Sequence, residues 1–304
     1  MPLRRSILYL SRHEGFRNWV ETSPAARRLS ARFIAGNSLD DALAVCRRLR
    51  AENITATLDY LGENVSSLDE AAACREMYLR MLRAMRDAEV EPNVSIKLTQ
   101  FGLDLSGPAC EENVTALVKA AAEIGGFVRF DMESSRYTDR TLALVTRLHS
   151  QYRACGTVLQ AYLHRSAQDI ACLERAGIRV RLCKGAYLEP PEIAFPDKAH
   201  VDKNYLALAE SLLTLGTYPA IATHDQRIIE KLERFIARNR IARDAFEFQM
   251  LYGIRRDLQR RLVGEGYRLR VYVPFGEAWY PYFMRRLAER PANLLFFLRN
   301  LLHP

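Results

Sequence analysis

Apolar and polar residues change period along the chain. Leu39 to Arg50 repeats apolar positions at helical spacing, and Ser23-Pro24 offers a cap followed by proline in a first turn. Beyond residue 50, short runs of strand formers alternate with longer amphipathic stretches. The runs are Ile54–Leu58, Val94–Leu98, Phe127–Asp131, Val158–Tyr162, Val180–Cys183, Ala220–Thr223, Phe246–Met250 and Leu269–Val273. Between them lie predicted helices at Leu68–Ala88, Asn113–Ile124, Asp139–Cys155, Ala167–Ala176, Lys203–Thr214, Gln226–Arg238 and Ile254–Val263. Each strand reads as apolar on both faces, which predicts a parallel sheet. Eight strand–helix repeats favour closure into a (β/α)8 barrel over an open doubly wound sheet. No G-x-G-x-x-G follows the first strand, which weakens the open alternative. No Pro/Gly/Ser-rich linker divides the chain. It is therefore read as one domain, with a helical extension over 1–50 and the barrel over 51–304.

Composition adds little to this. The 304 residues are 49% hydrophobic and 26% charged, as in ordinary globular proteins. No apolar run approaches the roughly 20 residues that span a bilayer, and the start lacks a signal peptide's apolar core, so a cytoplasmic location is expected. The net charge of +8 comes from scattered pairs such as Arg27-Arg28 and Arg260-Arg261, with no basic block interleaved with aromatics; no nucleic-acid partner is expected. The six cysteines include no C-x-x-C and no histidine at ligand spacing. They read as reduced, buried thiols, and no metal site is expected.

Barrel chemistry sits where strands end, and there the polar residues collect. They are Asp59 and Glu63 after the first strand, Lys97 on the second, Asp131 on the third, Gln160 on the fourth and Arg181 to Tyr187 on the fifth. Thr223-His224-Asp225 ends the sixth strand, Gln249 lies on the seventh and Tyr272 on the eighth. Singly, each has a plain structural reading: Lys97 as an ion pair with Asp131, His224 as a hydrogen-bonded core histidine. Together they imply a polar pocket at one rim, because buried charges are costly unless partnered. In the last predicted helix, Trp279–Arg290, residues Tyr282, Arg285, Arg286 and Glu289 share a face. Adjacent arginines suit a carboxylate. On spacing alone, a solvated face with an Arg285–Glu289 pair explains them better.

Six segments in order resemble the proline dehydrogenase family, including the catalytic domain of the bifunctional bacterial enzymes. They are SIKL (95–98), VRLCKGAY (180–187), ATHD (222–225), FEFQMLYG (246–253), VYVPFG (271–276) and YFMRRLAE (282–289). The resemblance implies a distorted (β/α)8 barrel holding FAD non-covalently, with the last helix over the mouth. It implies oxidation of L-proline at C5 to Δ1-pyrroline-5-carboxylate, with electrons passed to a membrane quinone and transient contact at the inner membrane face. By motif, Arg285 and Arg286 would bind the proline carboxylate, and Lys97, Asp131, Tyr272, Tyr282 and Glu289 would complete the pocket. Tyr187 would pack nearby, Leu251 would touch the proline ring, and Glu63 would gate the site through Arg285. Gln160, Arg181, Lys184, Gly185, Ala186, Thr223, His224 and Gln249 would contact FAD. No acid or base is assigned. Two departures stand out: Cys183 replaces a common valine and Asp225 an occasional asparagine. A different chemistry, a Schiff-base lyase using Lys97 or Lys184, accounts for a strand-end lysine but not for the arginine helix.

Overall fold

The computed structural model describes Ser23, Arg28 and residues 30–289, with side chains as far as Met284. The predicted start at Ser23-Pro24 lies outside the described residues, apart from Ser23 itself. Helix α1 (Leu39–Ala51) is held by a capping box in which Ser38 and Asp41 satisfy each other's backbone N–H groups. It buries Ala42, Val45, Cys46 and Leu49 against β1 (Thr55–Tyr60) and β8 (Leu269–Phe275).

Between those strands run α2 (Leu68–Asp87), β2 (Asn93–Ile96), α3 (Gly107–Glu123), β3 (Phe127–Phe130), α4 (Thr138–Tyr152), β4 (Cys155–Gln160) and α5 (Ser166–Arg175). Then come β5 (Arg179–Cys183), α6 (Lys198–Leu215), β6 (Ala220–Ala222), α7 (Gln226–Arg238), β7 (Glu247–Leu251) and α8 (Arg256–Gly264), and α9 (Trp279–Glu289) follows β8. The strands close in chain order as a parallel barrel. The closing pair runs from Thr55 opposite Arg270 to Tyr60 opposite Phe275.

The expectation of strands apolar on both faces is wrong for most of this barrel. One face is apolar: Val94 and Ile96, Val128 and Phe130, Val180 and Leu182, Phe248 and Met250, Leu269 and Val271 join the core under the helices. The alternate positions are polar and buried: Thr57 and Asp59, Ser95 and Lys97, Arg129, Arg181, Glu247 and Gln249, Arg270. Their bonds join strands that are not neighbours. Arg181 on β5 reaches Ser95 on β2, and Tyr272 on β8 reaches Asp131 after β3. Such bonds can only cross the lumen, so the barrel is filled by ion pairs in place of the usual branched aliphatics.

Helix α9 does not pack beside the barrel. Its Trp279, Tyr280, Tyr282, Phe283 and Met284 form a second cluster with Phe33, Ile34, Leu61 and Ile254, against Leu251 and Tyr272. Leu61, Leu251 and Ile254 lie at or beyond the C-terminal ends of β1 and β7, and Ala35, next to Ile34, donates its N–H to the Pro274 carbonyl near the end of β8, so α9 roofs the mouth while α1 flanks the β8–β1 seam.

Boundaries moved in places. Cys155 opens β4 and does not close the preceding helix, and α3 starts six residues before Asn113, at Gly107. The cysteines are all free, but two are not buried: Cys172 is exposed and Cys183 half-buried.

Candidate active site

The lumen's C-terminal layer is built on two carboxylates. Asp131 accepts from Arg181 Nη1 at 2.7 Å and from the Tyr272 hydroxyl at 2.9 Å. Arg181 also donates to Ser95 Oγ at 3.0 Å, and its guanidinium lies 5.4 Å from the Tyr272 ring centre. Burial pushes the Tyr272 phenol well above its ordinary range, and the Asp131 and Asp59 charges add to this, so the hydroxyl stays a donor. Lys97 does not pair with Asp131, as its position on the neighbouring strand suggested. Its Nζ donates to Asp59 Oδ1 at 3.0 Å, because Arg181 and Tyr272 already occupy both oxygens of Asp131.

Next to this layer, Glu133 is buried and accepts from the Thr99 N–H at 3.1 Å and the Thr99 hydroxyl at 2.7 Å. Burial raises its carboxyl above the usual range despite those bonds. Thr99 Oγ1 in turn accepts the Asn64 N–H at 3.4 Å, so the turn bearing half-buried Glu63 is steadied by the helical turn after β2.

The ends of β4 to β7 form the second half of the site. Gln160 Nε2 donates to the carbonyls of Met132 and Glu133, both at 2.9 Å; its Oε1 is buried and makes no hydrogen bond. His224 Nε2 accepts the Leu251 N–H at 2.9 Å, which leaves the ring proton on Nδ1. Gln249 donates to Glu247, and Thr223 Oγ1 accepts the Asp225 N–H at 3.1 Å. Lys184 bridges Asp202 (2.5 Å) and Asp225 (3.1 Å), and Lys198 joins the same carboxylates. Burial alone would raise Asp202 and Asp225, but the lysine hydrogen bonds and charges outweigh it and hold both below the usual carboxylate range. Gly185 has φ +116°, and a Cβ there would collide with the Tyr162 ring, so only glycine lets the loop pass. Ala186 is exposed and Tyr187 half-buried on that loop. A cleft of about 560 Å3 opens beside it at the N-terminus of α7, lined by Lys198, Arg227, Lys231 and Arg255 together with the carboxylates Asp202 and Asp225.

At the mouth, Tyr282 on α9 belongs to the apolar cluster that Leu251 packs against. Arg285, Arg286 and Glu289 follow on the same helix, but their side chains lie outside the described residues.

Comparison with known proteins bears on the family and the fold. The family model for proline dehydrogenase matches residues 42–299. The chain belongs to the proline dehydrogenase family. A proline dehydrogenase of Deinococcus radiodurans is 43% identical over 279 residues, covering 90% of each chain. Proline dehydrogenase 1 of Bacillus subtilis subsp. natto is 40% identical over 301 residues, covering 99% of each. Among solved structures, proline utilization A from Bdellovibrio bacteriovorus, inactivated by N-propargylglycine, superposes with a TM-score of 0.81 at 30% identity. That match covers 87% of this chain and 33% of that one, so the chain spans about a third of that protein.

Within this family member, the structure gathers Lys97, Asp131, Arg181, Tyr272, Leu251 and Tyr282 at one end of the lumen. Gln160, Lys184, Gly185, Thr223, His224 and Gln249 lie at the ends of β4 to β7. Sequence reasoning missed two features. Asp59 was noted at its strand end but not as the partner of Lys97. Lys198 and Asp202 carried a signal, their i,i+4 spacing, but nothing in the sequence joined that pair to Lys184 and Asp225.

Proposed function

We propose that this protein oxidises L-proline to Δ1-pyrroline-5-carboxylate using non-covalently bound FAD, and passes the electrons to a membrane quinone. The observation that carries the reading is the polar lumen roofed by α9, the helix that bears Arg285 and Arg286. The residues at the mouth suit the cofactor. The Gln160 Oε1 and Arg181 Nε atoms are buried without hydrogen-bond partners at the lumen's upper layer. In the cleft at the start of α7, Asp225 caps the helix N-terminus and Lys198 is tied to Asp202 and Asp225, so the side chains that would suit the phosphates are Arg227, Lys231 and Arg255. Gln160, Arg181, Lys184, Gly185, Ala186, Thr223, His224 and Gln249 would hold the cofactor, with Arg227, Lys231 and Arg255 toward its phosphates.

Bound FAD supplies a hydride acceptor, which no side chain provides. The protein's own part is placement. Arg285 and Arg286 clamp the proline carboxylate, and Lys97, Asp131, Tyr272, Tyr282 and Glu289 shape the pocket around the ring. Tyr187 packs beside it and Leu251 offers an apolar contact. Glu63 pairs with Arg285 once substrate is in place and excludes water. No side chain is assigned as base; the amine proton goes to solvent. Among the described residues no helix is long and apolar enough to cross a membrane. The reading has a cytoplasmic protein meeting the quinone at the membrane surface.

The Schiff-base alternative is disfavoured by geometry. Lys97 already donates to Asp59, and Lys184 to Asp202 and Asp225; either amine would have to leave its pair to become a nucleophile.

A visible absorption spectrum tests the reading. The purified protein should carry a flavin that denaturation releases and that bleaches on adding L-proline. A colourless protein that stays colourless with added FAD, or a bound flavin that proline leaves oxidised, overturns it.

A further inference from the structure

We propose that Asp59 is the positioning residue for Lys97 and thereby sets the affinity for the substrate. The inference rests on the reading of Lys97 as a pocket residue. Asp59 is near the end of β1, is 1% exposed, and faces the lumen beside Thr57. Its Oδ1 takes the Lys97 ammonium at 3.0 Å. The Tyr78 hydroxyl is 3.5 Å from the same oxygen but gives its proton to the Ser95 carbonyl at 2.8 Å, a better bond. Oδ2 is buried and makes no hydrogen bond. The carboxylate therefore depends on Lys97 for its charge-assisted bond, and a buried charge without one is costly.

The dependence runs both ways. A lysine side chain has four rotatable bonds and a point charge, so geometry at its tip comes from what it touches. Asp59 sits on a strand paired along its whole length with β8, six residues in register, which makes it a rigid anchor. Lys97 follows β2, whose only register pair with β1 is Leu58 opposite Val94. The Asp59–Lys97 bond thus ties together, across the β1–β2 step, the point where the backbone ladder has already run out. It fixes the ammonium at the lumen's upper layer, beside the Asp131–Arg181–Tyr272 group. Among the described residues, the ionisable groups whose charge reaches this pair include Cys74 and Tyr78 from α2, Tyr272 from β8 and Glu133 after β3. Burial holds the Cys74 thiol and the Tyr78 and Tyr272 phenols far above neutrality, so they are uncharged and do not compete for the ammonium.

A double-mutant cycle on proline kinetics tests this. Asp59→Asn should raise KM for proline by roughly tenfold or more while kcat moves only a few-fold, and in a Lys97→Met background it should change KM by less than about twofold. The flavin-to-protein ratio and melting temperature, read alongside, separate a displaced ammonium from a loosened barrel. Should Asp59→Asn not fold, Asp59→Glu takes its place, keeping the charge but moving it one methylene along. An equal rise in KM in both backgrounds, or no rise in either, overturns the inference. A raised KM in Lys97→Met with an unaffected Asp59 variant overturns the inference alone. An unchanged KM in Lys97→Met overturns the pocket reading of Lys97 and the inference with it.

Discussion

The floor of the lumen should be a stability device, separable from the site at its mouth. Arg270 is the test. It is 4% exposed, and its Nε donates to both Glu247 oxygens at 3.0 and 3.1 Å. Nη2 reaches both oxygens of Glu91 at 2.9 and 3.0 Å, and Nη1 the Ala56 carbonyl at 2.8 Å. Arg270→Met keeps much of the volume and removes every donor. Glu91 is half in solvent and loses little, but Glu247 is 2% exposed and is left as a buried charge. Breaking such a pair costs about 3–5 kcal/mol. At roughly 2 °C per kcal/mol for a chain of this size, the melting temperature should fall by roughly 6–10 °C. The pH dependence carries a sign. Burial alone would raise Glu247, but the Arg270 charge and hydrogen bonds outweigh it and hold the carboxyl below its usual range. In the native protein this contribution is present above the unfolded carboxyl value, about 4.3, and is lost as pH falls through the folded one. In the variant, burial is no longer opposed by Arg270, so protonation relieves the strain. The penalty should therefore be largest at pH 7 and shrink toward pH 4. Urea unfolding across that range reads it, and turnover below the melting transition should stay within a few-fold. A penalty under about 1 kcal/mol at pH 7, or one that does not change with pH, would refute the reasoning.

Two further outcomes concern the mouth. Arg285→Met and Arg286→Met should each raise KM for proline by at least about thirtyfold, since losing one partner of a buried carboxylate–guanidinium pair costs about 2–5 kcal/mol; steady-state kinetics with unchanged flavin content check this, and wild-type values would return the helix to a solvated charged face. Tyr272→Ser removes both the ring beside Arg181 and the hydroxyl on Asp131, and should narrow the preference for proline over 4-hydroxyproline; an unchanged ratio of kcat/KM values would mean the ring does not meet the substrate.

The barrel was legible because its helices and strands differ in period and because each strand's outward face is continuous with a helix core. What misled was the lumen. Parallel strands are usually buried among aliphatics on both sides, whereas here Arg129, Arg181, Glu247 and Arg270 occupy the inner face. The start of β4 was missed for a local reason. Ala154 and Gly156 are poor strand formers, yet a Cβ at Gly156 would strike the Arg179 carbonyl and crowd Arg129, so packing chose the glycine and not propensity. The site's residue types could be read from the strand ends, but its pairings could not. Whether Lys97 takes Asp59 or Asp131 depends on Arg181, 84 positions further along, arriving first from across the lumen. That is a property of barrel closure, which no local pattern encodes.

The pairing has a consequence for where substrate charge is met. Asp59 with Lys97, Asp131 with Arg181, and Glu247 with Arg270 are each neutral as pairs. Arg129, buried and tied to the Thr157 and Arg179 carbonyls, is pushed down to about 9 by burial and the neighbouring Arg181 and is still cationic at neutral pH, but it lies at the floor among Glu247 and Arg270. Under the proposed reading, a carboxylate entering at the mouth therefore brings a charge that the upper layer does not balance. Drawing Lys97 or Arg181 toward it would strand Asp59 or Asp131 in turn, at a cost comparable to the gain. The balancing cations must come from outside the lumen. Helix α9 provides that place, because it packs over the strand ends through Tyr282, Phe283 and Met284 and carries two arginines in its next turn. Under the proposed reading, the placement of the last helix and the polar filling of the barrel would form one design: the lumen would orient the substrate, and the roof would supply the charge.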